Sequence, residues 1–413
     1  MSQNYKEISQ CRVSGSTNLI NVLSLGSQAL TGVFPKKIND QITVGPLELV
    51  WCPDSALLQL KHTYAPGEMY GENYGYRSGL NQAMVEHLTS KVRFLERLAK
   101  PACGDIILDI GSNDATTLKA YSDNKLDLIG IDPTGDKFAK FYPKQISLVS
   151  DFFSEKNYRN IRKRNAKIIT SLAMFYDLDD PVKFAQEIRN ILAEDGIWHF
   201  EQSYMPSMLR TNSYDTICHE HLEYYSLDAV EKILVKAGLK IIDVAMNSVN
   251  GGSFAVTATH QESHFYCAND PVINWMLEQE GRMGLSTPKP FRDFEERVYR
   301  HRKDLKRLIQ SLVADGKKIL GYGASTKGNV LLQFCNLGIN ELSAIAEVNS
   351  EKFGRVTPGT HIPIISEVEA RKIRPDYLFV LPWHFKDGIL RREKEYAASG
   401  GKFIFPFPEI EIV

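Results

Sequence analysis

Apolar positions along this chain follow several rhythms in turn, and the changes between them mark its organisation. Over residues 1–75, short apolar runs such as "VLSLGSQALTGVFP" and "VGPLELVWCP" are broken by Gly, Pro and Asn, which predicts a small β-rich module with a thin core. Leu80, Met84, Leu88, Val92, Leu95 and Leu98 then recur at steps of three and four residues, the period of an amphipathic helix, and Pro101 ends it. From "DIILDIG" onward the runs "LDLIGIDP", "ISLVSDFF", "AKIITSLAMF" and "GIWHFEQSY" alternate with polar, helix-like segments. Buried strands alternating with helices predict a parallel sheet covered on both faces.

After the break "TPKP", Phe291, Phe294, Val298, Leu305, Leu308, Ile309 and Leu312 return to helical spacing and predict a helical connector. Its charged stretch "RVYRHRKDLKR" reads as a solvated helix face. From Lys317 the strand, glycine-rich turn and helix pattern restarts in "KKILGYGASTKGNVLLQF", followed by "SAIAEVN", "DYLFVLPWHF" and "KFIFPFP". The chain is therefore expected to be α/β, with units at 1–75, 76–265 and 266–413, the last holding the connector and a second nucleotide-domain-like sheet.

Charge narrows the partners. Forty-nine basic against fifty acidic residues give a formal charge of −1, which removes the electrostatic case for a nucleic-acid backbone or an anionic membrane. A small-molecule substrate remains, with the chain a monomer or homo-oligomer. No stretch approaches eighteen consecutive apolar residues, and "MSQNYKEISQ" lacks the pattern of a signal peptide, so a cytoplasmic protein is expected. Cys11, Cys52, Cys103, Cys218, Cys267 and Cys335 lie far apart and are expected to be reduced thiols.

In "IILDIGSNDATTL" an apolar strand ends at Asp109, Gly111 permits a sharp turn, and Ser112, Asn113 and Asp114 lead towards a helix. Asp132, at the end of the next apolar run and followed by Pro133, stands where a carboxylate accepts the ribose hydroxyls of a nucleoside. Carboxylates so close together would repel a pyrophosphate. S-adenosylmethionine, with cationic amino and sulfonium groups, fits this turn better than NAD. Asp151 and Phe152 are placed to bound the adenine, and Ser171 ends a neighbouring strand.

"YGYRSGLNQAM", "DIGSNDATTL", "CHEHLEYYSL", "NGGSF", "GYGASTKGNVLL" and "GRVTPGTHIPI" together resemble the sugar C-methyltransferase family, over nearly the whole chain. The resemblance implies a class I methyltransferase Rossmann-like domain, a second C-terminal Rossmann-like domain and a small N-terminal zinc-binding-like domain. It also implies methylation of carbon 3 of a nucleotide-linked 4-keto-6-deoxy sugar. In the N-terminal domain the family's two C-x-x-C pairs appear as "CRVS" and "CPDS", so Ser14 and Ser55 stand where thiolates are expected; zinc is not expected. The module would then act as a scaffold delivering Tyr76.

The stretch "TICHEHLEYYSL" holds His219, Glu220 and His221. Metal binding is a weak reading, because H-E-x-x-H places its histidines four apart on one helix face and these are two apart. A polar turn capping a helix at Ser226 and Leu227 is the plain alternative. C-methylation needs a base to remove the hydrogen beside the keto group, and the resemblance implies that His221 is that base, supported by Glu220 and His219. The enolate oxygen needs a donor. The family's tyrosine at this point is Cys218 here, a weak donor, which leaves Tyr76, Tyr224 or His219 for that duty. Phe175, Tyr176 and Asp177 also depart from the family's histidine in that region.

In the second glycine-rich turn, Ser325, Thr326, Lys327 and Asn329 are expected to form a phosphate cradle, with Arg355 meeting the diphosphate. An isolated reading of Gly323 and Glu347 would give a dinucleotide site. Three rivals therefore stand beside the C-methyltransferase: a sugar O-methyltransferase, an NAD-dependent oxidoreductase and a non-catalytic binding protein.

Overall fold

The computed structural model describes residues 5–69, 76–123 and 125–413. The middle sheet runs, edge to edge, Leu239–Asn247, Ser253–His260, Leu192–Ser203, Ala166–Leu172, Ile106–Ile110, Asp127–Ile131 and Ile146–Val149. Only Ser253–His260 is antiparallel to its neighbours. Numbered by chain position within the sheet, the order is 3-2-1-4-5-7-6, a doubly wound sheet with one reversed strand inserted near an edge. Its topological switch point falls between Ile106–Ile110 and Ala166–Leu172, where the connections leave in opposite directions. The first strand, IILDI, is buried throughout, as a strand covered on both faces must be.

The C-terminal sheet repeats the logic. Its order is Ile364–Ser366, Ile345–Glu347, Ile319–Tyr322, Tyr377–Val380, Lys402–Phe405 and Glu411–Ile412, parallel except for the last pair. Here the switch point lies between Ile319–Tyr322 and Tyr377–Val380, directly below "GYGASTK". The connector consists of two helices. Asp270–Arg282 packs Ile273 and Met276 into the middle domain, whereas Lys289–Ala314 buries Phe291, Phe294, Val298, Leu305 and Ile309 against the C-terminal one. The residue-266 boundary therefore lies ahead of a helix that belongs to the middle domain.

Helix Gln82–Ala99 forms as expected, with Asn81 accepting from the Ala83 N–H at its N-terminus. Leu80, read as its first apolar position, lies instead in a short turn and is 56% exposed. Among the described residues no helix is long and apolar enough to cross a membrane.

The thin N-terminal core is completed from outside. Val22, Leu23, Leu49, Trp51, Leu58 and Leu60 join one apolar cluster with the C-terminal domain, and Trp51 meets Phe291 at 5.0 Å between ring centroids. Gln333 on helix Thr326–Cys335 accepts from Ala29 N–H and donates to Ala29 O, much as a neighbouring strand would. The sheet itself is also completed from outside: its order is Glu223–Tyr224, Leu57–Leu60, Val44–Cys52, Ile20–Ala29, and the first of these strands belongs to the middle domain.

Arg12 fixes this union electrostatically. Its side chain, 2% exposed, donates to Leu60 O at 2.7 Å and Thr63 Oγ1 at 2.7 Å, and lies 3.7 Å from Glu223 Oε1. Burial pushes the Glu223 carboxyl far up, and Arg12 draws it back. Removing a cation from such a pair leaves a buried acid without its partner. Arg12→Met should lower the unfolding free energy by about 3 kcal/mol in a denaturant titration, and adding Glu223→Gln should recover part of that loss.

Candidate active site

Asp109 lies at the end of the first middle strand, 2% exposed, and accepts from Thr170 Oγ1 at 2.6 Å. Burial pushes its pKa up to about 7; the Thr170 hydroxyl opposes this, and the Asp132 charge adds to it. Asp132 accepts from Asn113 N–H at 2.7 Å and Thr134 N–H at 2.7 Å, with Pro133 between. Gly111 turns at φ +73°, and a Cβ there would lie 3.1 Å from Met174, so the turn requires glycine. Ser112 Oγ lies 2.7 Å from the Tyr142 hydroxyl, which donates to Asn113 O. Two buried carboxylates facing one crevice favour a cation, which is the charge of S-adenosylmethionine.

Residues 76–80 are fastened over this turn. Asn113 accepts from Ser78 N–H and donates to Tyr76 O, while Asp114 accepts from Gly79 N–H. Tyr76 is 49% exposed beside this turn. Phe152 is 48% exposed just past the strand Ile146–Val149, with Asp151 accepting from Phe152 N–H and Asn157 Nδ2. Ser171 is a correction: its Oγ, fully buried, accepts from Trp198 Nε1, so the side chain faces the core and not the crevice.

His219, Glu220 and His221 lie where all three units meet. His221 N–H bonds to Cys218 O, Leu222 N–H to Tyr176 O, and Leu60 N–H to Leu222 O, so the segment is held from both sides before its short strand begins. His221 Nδ1 lies 2.9 Å from Thr216 O, an acceptor only, so Nδ1 carries the proton and Nε2 keeps its lone pair. The ring packs on Tyr176 at 4.2 Å. Burial, and then the Lys327 ammonium, push the His221 pKa down to about 3, so the imidazole is neutral at physiological pH.

Its two expected supporters turn to the N-terminal module. His219 packs edge-on against Tyr64 at 4.7 Å, within the N-terminal module, because residues 219 and 220 form a turn and not an extended stretch. Glu220 also turns to the N-terminal module, its Oε1 only 2.1 Å from where a Cβ on Gly32 would stand; Cys218, Thr31 and the Gly32 N–H surround its carboxyl. The group that orients His221 is thus the Thr216 carbonyl, not Glu220. Cys218 and Tyr224 are both buried in the core shared with the N-terminal module.

The second glycine-rich turn divides its labour. Ser325 Oγ accepts from Gly328 N–H as a helix cap and keeps its own O–H, whereas Asn329 Nδ2 donates to Thr31 O and so turns to the N-terminal module. Thr326 and Lys327 face the junction: Thr326 Oγ1 lies 3.6 Å from the Gly32 Cβ position, and Lys327 Nζ donates to Asn250 O at 2.9 Å. Arg355 is also corrected. It donates to Phe34 O and Glu351 O, and so ties the C-terminal domain to the N-terminal module.

Sequence reasoning missed Asp215. It is 1% exposed, accepts from Trp383 Nε1 at 2.9 Å, and leaves Oδ1 without a hydrogen-bond partner. Its place in the polar stretch "RTNSYD" just before "TICHEH" gave no sign that it would be buried.

Three family models tile the chain: a zinc binding domain at residues 11–70, a methyltransferase domain at 83–244 and a C-methyltransferase C-terminal domain at 248–408. The C-methyltransferase NovU of Streptomyces niveus is 30% identical over 412 residues, which span 99% of this chain and 97% of that protein. This chain belongs to the C-methyltransferase family. Among solved structures, an S-adenosylmethionine-dependent methyltransferase of Clostridium acetobutylicum aligns over 43% of this chain and 92% of its own, at 12% identity and a TM-score of 0.33. The methyltransferase CcbJ of Streptomyces caelestis aligns over 42% and 89%, at 10% identity and 0.33.

This C-methyltransferase depends on S-adenosylmethionine, and the acidic crevice suits it; zinc is a different matter. At the four positions of the zinc binding domain, Cys11 Sγ lies 3.1 Å from Ser55 Oγ and Ser14 Oγ lies 3.3 Å from Cys52 Sγ. Two thiols and two hydroxyls paired with each other do not fit a structural zinc site, which takes four strong ligands. The protein should carry well under one zinc per chain by elemental analysis, whereas the Ser14→Cys, Ser55→Cys variant should bind one.

The crevice makes a second prediction. An acid at about 7 is partly protonated in neutral solution, and a bound cation favours its ionised form. Cofactor affinity should therefore rise with pH up to about 7 and level off above it, by at most about tenfold per unit. Calorimetry of wild type against Asp109→Asn, from pH 6 to 8, isolates this from the cofactor's own titration.

Proposed function

We propose that this C-methyltransferase methylates carbon 3 of a nucleotide-linked 4-keto-6-deoxy sugar, and that His221 Nε2 removes the proton that makes that carbon a nucleophile. The observation that carries the reading is the Nδ1 contact to Thr216 O, which leaves Nε2 unprotonated on a ring that burial keeps neutral. A carbon beside a keto group is acidified by it, so one correctly placed base is the main requirement. Bound S-adenosylmethionine supplies an electrophilic methyl group; the chain's own residues must generate the carbon nucleophile and hold it. The junction of three units buries Asp215 and Trp383, bonded to each other at 2.9 Å, and the C-terminal switch point beside them is where such a sheet holds a ligand, so the nucleotide end is assigned to that side.

Incubation in deuterated water with 4-keto-6-deoxy nucleotide sugars, without cofactor, should place deuterium at carbon 3. His221→Ala should slow this by about a hundredfold or more while leaving cofactor binding intact. Methyl transfer to a hydroxyl, with no exchange at carbon 3, would mean that His221 deprotonates oxygen and would sink the reading.

A further inference from the structure

Removing a proton beside a keto group creates two charges at once, an imidazolium on His221 and an oxyanion on the substrate. A dry junction must meet both, and the oxyanion needs a donor. None of the three residues that sequence offers for this duty brings a positive charge. His219, its pKa lowered to about 4 by burial, packs on Tyr64, Tyr76 is held by its backbone carbonyl over the first glycine-rich turn, and Tyr224 is buried beside Cys218. The Cys218 thiol, pushed far up by burial, lies beside Glu220 and has no surface exposure.

Lys327 remains. It stands in the first turn of helix Thr326–Cys335, above the switch point of the C-terminal sheet, next to Thr326, whose hydroxyl reaches the Gly32 and Glu220 side of the junction. Its Nζ donates to Asn250 O, a neutral carbonyl, so its charge is left for whatever enters. That carbonyl is well anchored. Asn247 Oδ1 accepts from Val249 N–H, and Asn247 Nδ2 donates to Glu201, which His87 and Lys91 also hold. Helix Thr326–Cys335 packs against Tyr214–Thr216, the turn whose Thr216 carbonyl holds His221, and Gly251, next to Asn250, lies against Trp383. Asp215 in that turn is buried, with Oδ1 lacking a hydrogen-bond partner and Oδ2 on Trp383. The Lys327 charge also bears on the rings of His221 and His384, as it would if all of these groups face one space.

We propose that Lys327 is a catalytic residue that stabilises the enolate, donating from Nζ to the substrate's keto oxygen, and is not a phosphate ligand. This rests on the enolate reading above. The step balances within the site: the C–H bond at carbon 3 breaks, its electron pair forms the carbon–carbon double bond, the carbonyl π pair moves to oxygen, and the proton ends on His221 Nε2. Lys327 donates without giving up its proton, its ammonium form favoured against burial by the Asp215 charge, and the step needs no co-reactant. Its fixed attachment to Asn250 sets the ammonium in place before the charge develops, which is what makes such a donor effective.

The test uses the full chain with thymidine and uridine diphosphate 4-keto-6-deoxyglucose in deuterated water, without cofactor. Exchange at carbon 3 is followed by NMR for wild type, Lys327→Met and Lys327→Arg, and thymidine and uridine diphosphate affinities are measured by calorimetry. The expected result is a fall of about a hundredfold in exchange at saturating sugar for Lys327→Met, nucleotide affinity within about threefold of wild type, and partial recovery in Lys327→Arg. Unchanged saturating exchange in Lys327→Met overturns the proposal. If nucleotide affinity also falls about tenfold, the lysine is a phosphate ligand. Lys327→Gln replaces the Met variant if circular dichroism shows that one unfolded. Wild type that exchanges neither sugar refutes the enolate reading itself, an outcome distinct from a lysine variant that exchanges normally.

Discussion

Two backbone pairings, Glu223 with Gln59 and Tyr224 with Leu58, hold the rest of the site in place. A strand of two residues has no stability of its own. It exists because the N-terminal sheet offers an edge to it and because Leu222 is bonded on both flanks, to Tyr176 and to Leu60. The residues just before it, including His221, are thereby carried to the meeting point of three units. The N-terminal module thus contributes to the site as a template for one strand and as the wall behind His219 and Glu220.

The junction so formed drives every titratable group in it towards its uncharged state. Burial raises Glu220 and Asp215, lowers His221 and His384, and lowers Lys327. Burying charge without a partner is costly, and the protein meets this with carbonyl acceptors and an indole donor in preference to ion pairs. The cofactor crevice differs. There Asp132 accepts two backbone N–H bonds and Asp109 stays poised near neutrality, an arrangement matched to a ligand that brings its own positive charge.

Much of this was legible along the chain. Alternating apolar runs predict both sheets, and "DIGSND" with Asp132 marks the crevice, because a strand end, a positive-φ glycine and a second carboxylate are local features. Ser14 and Ser55 in place of cysteines were legible in the same way, whereas their pairing with Cys52 and Cys11, 38 and 44 residues away, was not. Side-chain direction was not legible. Residues 219 and 220 form a turn, so His219 and His221 diverge, and the alternation of an extended strand fails at the point where it matters. Ser171 and Arg355 have the right chemistry in the right motif, yet face Trp198 and Phe34 O.

The sequence by itself determined the class of fold, the identity of the cofactor and the presence of one histidine suited to proton transfer, since each depends on residues close together in the chain. Only the tertiary structure decided which atom of that histidine is free and what lies beside it. Thr216 O, Lys327 and Asp215 come to the junction through a turn, a second sheet's switch point and a borrowed strand. Their meeting depends on contacts between units, Lys327 with Asn250 77 residues away and Asp215 with Trp383 168 residues away, which no local pattern encodes.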